Sequence, residues 1–420
     1  MDKLKQLCAY LPTIGLLIAF FALPYPYGAL QRTGLYIAGI GFAVDYMVNR
    51  RWQQWSWSRD KWVYVVFALF YLCMPLRQIF DPQCTWLFHT KMETYFAFLV
   101  IGVLGFAGGN RTMRPEYMAV TMLLSCVTMG VILCRAMWGV PMSDFALWQK
   151  QMGTQRVALI NSHMAVNVYC NMTLVFGMWT LVRSHCAKWL KGLIGVGMAG
   201  VVIGLMISEG RAGQITLVLL AVYAIGAWLI RTQRVRWLVP GLVGIGLLAG
   251  TLWYVNPRYR NYSLTDNARE YIWPVAVEMI KEKPMFGWGV SGARQEFVNR
   301  CRNNEGVRIH YLIEYEVSSM ERFGKVNYAV IHPHNAFLET WMETGVFGLS
   351  LFVLCLLLPI WLLPIGSNRR YVAACVIVFC VQGMFESMGS ALPPIWIPLL
   401  TYVWAYSSCA EITPASPTHS

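Results

Sequence analysis

Two histidines stand two residues apart in the run Ile331-His-Pro-His-Asn335, directly ahead of Ala336-Phe-Leu-Glu-Thr-Trp-Met-Glu-Thr-Gly345. Read as a helix, the second run puts Asn335, Glu339 and Glu343 on one face at i, i+4 and i+8. His334 then sits just before a helix N-terminus. An imidazole changes charge near neutral pH and can take a proton from a hydroxyl nucleophile, while the N–H groups of a helix start favour an anion. The plainer alternative is a pair of solvated loop histidines. Their closeness, the adjacent asparagine and the apolar flanks favour the site, with His332 and Asn335 as partners of His334. No metal is expected, because no third His or Cys lies at a useful spacing and Glu339 alone completes no ligand set.

Arginines make a second constellation. Arg77, Arg135 and Arg211 fall at the outer ends of expected helices, and Arg156, Arg258, Arg260 and Arg269 lie in outer connections. Guanidinium groups held near one depth suit a phosphate or pyrophosphate headgroup. For each one separately, snorkelling to lipid phosphate or pairing with an acid, such as Arg211 with Glu209, is an open alternative. Together, a hydroxyl activated by histidine and a pyrophosphate held by arginine describe glycosyl transfer from a lipid-linked sugar donor. Fixed cations would stabilise the departing pyrophosphate without a divalent ion or other cofactor. The absence of any Asp-x-Asp run agrees with that.

Something must hold these residues at one surface, and the composition says what. The chain of 420 residues is 57% hydrophobic and 13% charged, more apolar surface than one water-soluble core needs. The excess implies membrane lipid as a partner. Apolar windows long enough to cross roughly 30 Å of hydrocarbon fall near 8–24, 30–48, 62–79, 93–109, 117–137, 161–182, 192–208, 212–230, 237–255, 345–363, 371–388 and 391–408. An all-α polytopic membrane protein of about twelve transmembrane helices is therefore expected. It divides into helices one to nine over 1–255, a large outer loop with short helices over 256–336, helices ten to twelve over 337–408 and a tail over 409–420. The break between 192–208 and 212–230 reads equally as a tight turn or a broken helix.

With the N-terminus inside, the inner connections carry Arg50, Arg51, Arg59 and Lys61, then Arg111 and Arg114, Arg183, Lys188 and Lys191, Arg231, Arg234 and Arg236, and Arg369 and Arg370. That bias places both termini in the cytoplasm and the large loop outside. The formal charge of +13 is thus explained by topology and anionic lipid, and no nucleic-acid partner is expected. The N-terminal run after Met-Asp-Lys-Leu-Lys lacks a small-residue cleavage site and reads as a retained first span. Twelve cysteines form no CxxC or Cys/His cluster. Short inner connections and the lack of a phosphate-binding glycine loop argue against nucleotide chemistry.

Within the outer loop, Thr265-Asp-Asn267 offers caps for an amphipathic helix over 268–282, stopped by Pro284. Phe286-Gly-Trp-Gly-Val-Ser-Gly292 follows and can turn tightly. At these residues the sequence resembles the O-antigen ligase and O-antigen polymerase superfamily of bacterial envelope glycosyltransferases. The resemblance lies in Arg269 with Trp273, in Pro284-Met-Phe-Gly-Trp-Gly289, in His332-Pro-His-Asn335 leading to Gly345-Val-Phe-Gly348, and in Gly210-Arg-x-Gly213. It implies transfer of a glycan from undecaprenyl pyrophosphate at the periplasmic face of the inner membrane. It also implies a metal-independent inverting displacement, with His334 as general base and Arg211 and Arg269 on the donor's pyrophosphate. A ligase would pass the glycan to lipid A-core, a polymerase to another lipid-linked glycan. A transporter or flippase, or a receptor whose loop only binds, are the readings from other classes. The first expects ionisable groups at the bilayer midplane and repeated halves, neither visible here.

Overall fold

A computed structural model of the chain describes residues 2–25, 28–54, 56–80, 114–141, 143, 145–160, 163–208, 210–233, 237–255, 268–307, 332–362 and 369–385, with 89, 91, 92, 95, 96, 98, 99, 102 and 103. These residues form helices: α1 (Asp2–Ala22), α2 (Gly28–Val48), α3 (Lys61–Ile79), α4 (Pro115–Ala136), α5 (Phe145–Leu159), α6 (His163–Arg183), α7 (Lys188–Ile207), α8 (Arg211–Thr232), α9 (Leu238–Val255), α10 (Ala268–Glu282), α11 (Val290–Asn303), α12 (Ala336–Leu362) and α13 (Arg369–Phe385). No strand occurs among the described residues, as the all-α expectation requires.

Seven of these helices are long and apolar enough to cross a membrane: α1, α3, α4, α6, α7, α8 and α12. The expected twelve are not reached among the described residues. Helix α2 carries Arg32 and Asp45, α13 has only 17 residues, and both lie over expected windows. The window 391–408 lies outside the described residues, as does most of 93–109. So do Arg258, Arg260, the caps 265–267 and the tail 409–420. Surfaces of α4 and α7 present Leu124, Val131, Val196 and Ile203 outward, as a lipid-facing helix must.

Small residues and buried amides fix how the helices meet. In α1 and α2 a Cβ on Gly15 would lie 2.3 Å from the Ala38 nitrogen, and one on Gly34 would lie 2.5 Å from that of Ala19, so the two backbones touch. Buried Gln31 points Nε2 at the carbonyls of Ala22, Leu23 and Tyr25 where α1 ends, and the Ala22 carbonyl also accepts the Tyr25 N–H at 3.0 Å. Gln214 repeats the device in α8, with Leu205, Met206 and Ser208 of the α7 terminus at 3.0–3.1 Å. The chain between 192 and 230 is thus two helices, α7 and α8, joined by a short connection that Gln214 closes.

Aromatic packing joins the later helices to the earlier ones. Trp179 of α6 stacks on Tyr371 of α13 at 4.8 Å, and Phe352 of α12 meets Phe70 of α3 at 5.3 Å. Helices α10 and α11 carry a separate apolar cluster of Ile272, Val275, Met279, Phe297 and Cys301, which Met342 of α12 completes. Arg300 links their ends, reaching both oxygens of Glu282 at 2.6 and 2.7 Å. That guanidinium holds the Glu282 carboxyl below its usual range, and burial pushes the Cys301 thiol up to about 12.

Candidate functional site

The first turn of α12 explains the local sequence. Asn335 is its N-cap, and its Oδ1 accepts the N–H groups of Phe337 and Leu338 at 3.0 Å each. Two of the helix-start donors expected to favour an anion are therefore engaged by the cap. Immediately before it, His334 adopts the left-handed backbone, with φ of 48°. A non-glycine residue held there costs on the order of 1–3 kcal/mol and persists only where its surroundings hold it. The His334 N–H faces His332 Nδ1 at 3.4 Å, and the two rings lie 4.0 Å apart.

Helix α10 clamps this loop from the side. Arg269 and Trp273, one turn apart, share a face. Trp273 donates Nε1–H to the Pro333 carbonyl at 2.9 Å, and Arg269 donates from Nη2 to the carbonyl of Phe385, the last residue of α13, at 2.7 Å. Helix α10 thus carries Arg269 and holds the histidine loop through Trp273. It also tethers both to the end of α13.

A second clamp holds the far end of the first α12 segment. At Gly345 the backbone leaves the helix with φ 70° and ψ −170°, so α12 is two helical segments across a kink. Into this kink fits the turn 284–289. The Trp288 N–H donates to the Met342 carbonyl at 2.8 Å, Gly289 to Glu343 at 2.9 Å, and Val346 to Pro284 at 2.9 Å. Arg77 of α3 closes the turn from outside, with Nε on the Phe286 carbonyl at 2.9 Å and Nη2 on that of Gly287 at 3.1 Å. Arg77, expected at the substrate, is committed at those two atoms to backbone.

Gly345 admits no Cβ, since one would lie 2.1 Å from the Met285 carbonyl oxygen, an atom of the main chain that cannot swing aside. Replacing it with Ala should cost about 3 kcal/mol through backbone strain and this clash. Thermal unfolding in detergent checks it, with Gly226→Ala, which meets open space in α8, as the neutral comparison. An unchanged melting profile for Gly345→Ala would mean that the kink is not locked.

Below the loop, the shared face expected for Glu339 and Glu343 is filled by a residue that the pattern did not single out. Lys91 is 6% exposed and sends Nζ to Glu339 at 2.9 Å and to Glu343 at 2.5 Å. Its ammonium also lies 5.5 Å from the Tyr95 ring centroid. Glu339, expected at the substrate, belongs to this triad. A lysine just ahead of an apolar window was its only signal in the sequence.

Arg211 opens α8, and Gly210-Arg-x-Gly213 wraps the side chain of Asn167: a Cβ on Gly213 would lie 2.5 Å from Asn167 Cγ. Asn171 Nδ2 donates to the Gly213 carbonyl at 3.1 Å. Gln382, near the end of α13 that Arg269 grips, donates to Thr216 in the second turn of α8 at 2.9 Å. Arg77, Arg211, Arg269 and His334 therefore gather at one end of the bundle. Arg156 of α5 is buried and lines a cavity beside Asn167, and Arg135 is exposed in the last turn of α4.

Residues 195–353 match the family model described as O-antigen ligase, a stretch that contains Arg211, Arg269 and His334. A comparison with curated proteins gives no match.

Proposed function

We propose that the chain is an O-antigen ligase that moves a glycan from undecaprenyl pyrophosphate to lipid A-core, a reading that the match of residues 195–353 to the O-antigen ligase family model supports. The reading places it in the bacterial inner membrane, with 256–336 as a periplasmic loop, since the basic connections lie on the opposite side. The observation that carries it is the convergence of His334, Arg211 and Arg269 at one end of an apolar bundle, within the matched stretch.

In the proposed reaction the acceptor hydroxyl attacks the anomeric carbon of the donor sugar. His334 takes the hydroxyl proton as the new C–O bond forms. The bond from that carbon to the pyrophosphate oxygen breaks on the opposite face, so configuration inverts, and the lipid pyrophosphate leaves with its electron pair. Arg211 and Arg269 hold the growing negative charge, which a fixed guanidinium does without reorganisation. Their Ala variants are expected to raise the donor KM or lower kcat/KM about 100-fold, roughly the loss of one charged hydrogen-bonding partner. Lys should restore only part, because the bidentate fork is gone. Unchanged donor use in both Ala variants would remove them from the pyrophosphate site.

A deletion strain complemented with wild type or His334→Ala, with surface glycans run on a gel, tests the whole reading. Loss of long chains from lipid A-core, with lipid-linked polymer accumulating, is the expected result. Cores capped by a single repeat would instead make the protein a polymerase, which uses another lipid-linked glycan as acceptor. An unaltered profile would sink both.

A further inference from the structure

His334 keeps a left-handed backbone, φ 48°, which a non-glycine residue holds only where its neighbours enforce it. Trp273 fixes the Pro333 carbonyl on one side, and Asn335 caps α12 on the other. Between these two anchors the His334 N–H is met by His332 Nδ1 at 3.4 Å. An imidazole nitrogen that accepts a hydrogen bond carries no proton, so the ring hydrogen of neutral His332 lies on Nε2. The tautomer and orientation of this one ring therefore bear directly on the conformation of His334.

The group placed to hold that ring is Glu339. Side chains of a helix lean toward its N-terminus, so a carboxylate in the first turn of α12 reaches back toward the loop ahead of Ala336. His332 lies within electrostatic reach of this carboxylate, as does Arg294 of α11. Lys91 takes Oε1 at 2.9 Å. Oε2 is buried and has no hydrogen-bond partner among the described residues, a costly state for a carboxylate oxygen. Lys91 and Arg294 act on both Glu339 and Glu343, so two cations face two carboxylates. Neutralising Glu339 would leave an excess of positive charge beside the histidines.

We infer that Glu339 is a positioning residue for the base: its carboxylate turns the Nε2–H edge of His332 toward itself, which presents Nδ1 to the His334 N–H and holds the backbone that aims the His334 ring. A carboxylate that orients one edge of an imidazole fixes what the opposite edge can do. The inference rests on the base role proposed above for His334. It also gives Lys91 a second duty, since holding Oε1 leaves Oε2 for the histidine.

The test uses full-length protein in detergent with lipid-linked glycan and lipid A-core. Glu339→Gln should lower kcat about 10- to 100-fold with the donor KM unchanged, and Glu339→Asp, which keeps the charge, should restore part. In a His332→Ala background Glu339→Gln should cost nothing further, because the carboxylate acts through that ring. Adding Lys91→Met and Glu343→Gln to Glu339→Gln removes the buried charge imbalance and should regain stability, yet turnover should stay low. A readout independent of turnover is the nitrogen NMR spectrum of histidine-labelled protein, with His332→Ala assigning the signal. His332 should show one tautomer in wild type, with its hydrogen on Nε2, and a mixture in Glu339→Gln. Additive losses in the double variant, turnover that returns with stability in the triple variant, or an unaltered His332 spectrum in Glu339→Gln overturns the inference. If wild type transfers no glycan yet the His332 spectrum responds to Glu339→Gln, the positioning contact stands and the ligase reading falls.

Discussion

Replacing His334 with Ala should abolish glycan transfer, lowering kcat by about 100- to 10,000-fold while donor affinity and membrane insertion stay intact. That range is what a positioned general base supplies when it removes a proton in the transition state. The backbone adds a second expectation. Because His334 sits at φ 48°, His334→Asn, a residue that tolerates this conformation, should keep the loop closed on Trp273 and the Asn335 cap, yet still fail in turnover. Single-turnover transfer from purified donor reads the chemical step, and the pH profile of the wild type reads the titrating base. Wild-type turnover in both variants would leave His334 as a loop residue.

Lys91→Met should cost about 3–5 kcal/mol, the largest stability effect expected in this chain. The variant keeps the length of the side chain but leaves Glu339 and Glu343 without the ammonium, and breaking a buried ion pair from one side strands charge where water cannot compensate it. Glu339 and Glu343 have side chains only 14% and 6% exposed. Neutralising all three, with Glu339→Gln and Glu343→Gln added to Lys91→Met, should return much of the stability. That recovery separates loss of charge balance from loss of packing. Because Glu343 also accepts the Gly289 N–H on its carbonyl, the single variant should loosen the Gly345 kink as well. Thermal unfolding in detergent checks both, and a melting point equal to wild type in Lys91→Met would remove the triad from the account of how the loop is held.

Residue type and spacing alone determined that the chain is a helical membrane protein, because apolar windows of spanning length leave no other way to satisfy the backbone in lipid. They also singled out the histidine loop, Arg211, Arg269 and the turn 284–289, whose residue types have few other uses in such a setting. Only the tertiary structure decided what these elements do to one another. Asn335 reads as a site residue from its neighbours, and it is a cap because a helix starts at Ala336. The glycines of Pro284–Gly289 and Gly345 read as two separate signals about 60 residues apart, and they are the two halves of one interlock. Lys91 and Asn167 carried no pattern at all, since a single polar residue near an apolar window has no period to reveal its partner. Their roles arise from contacts with α12 and with Gly210–Gly213, each made by residues distant in sequence. Local periodicity reports which face of a helix is buried; which other helix supplies the missing charge, cap or carbonyl is decided only when the bundle closes.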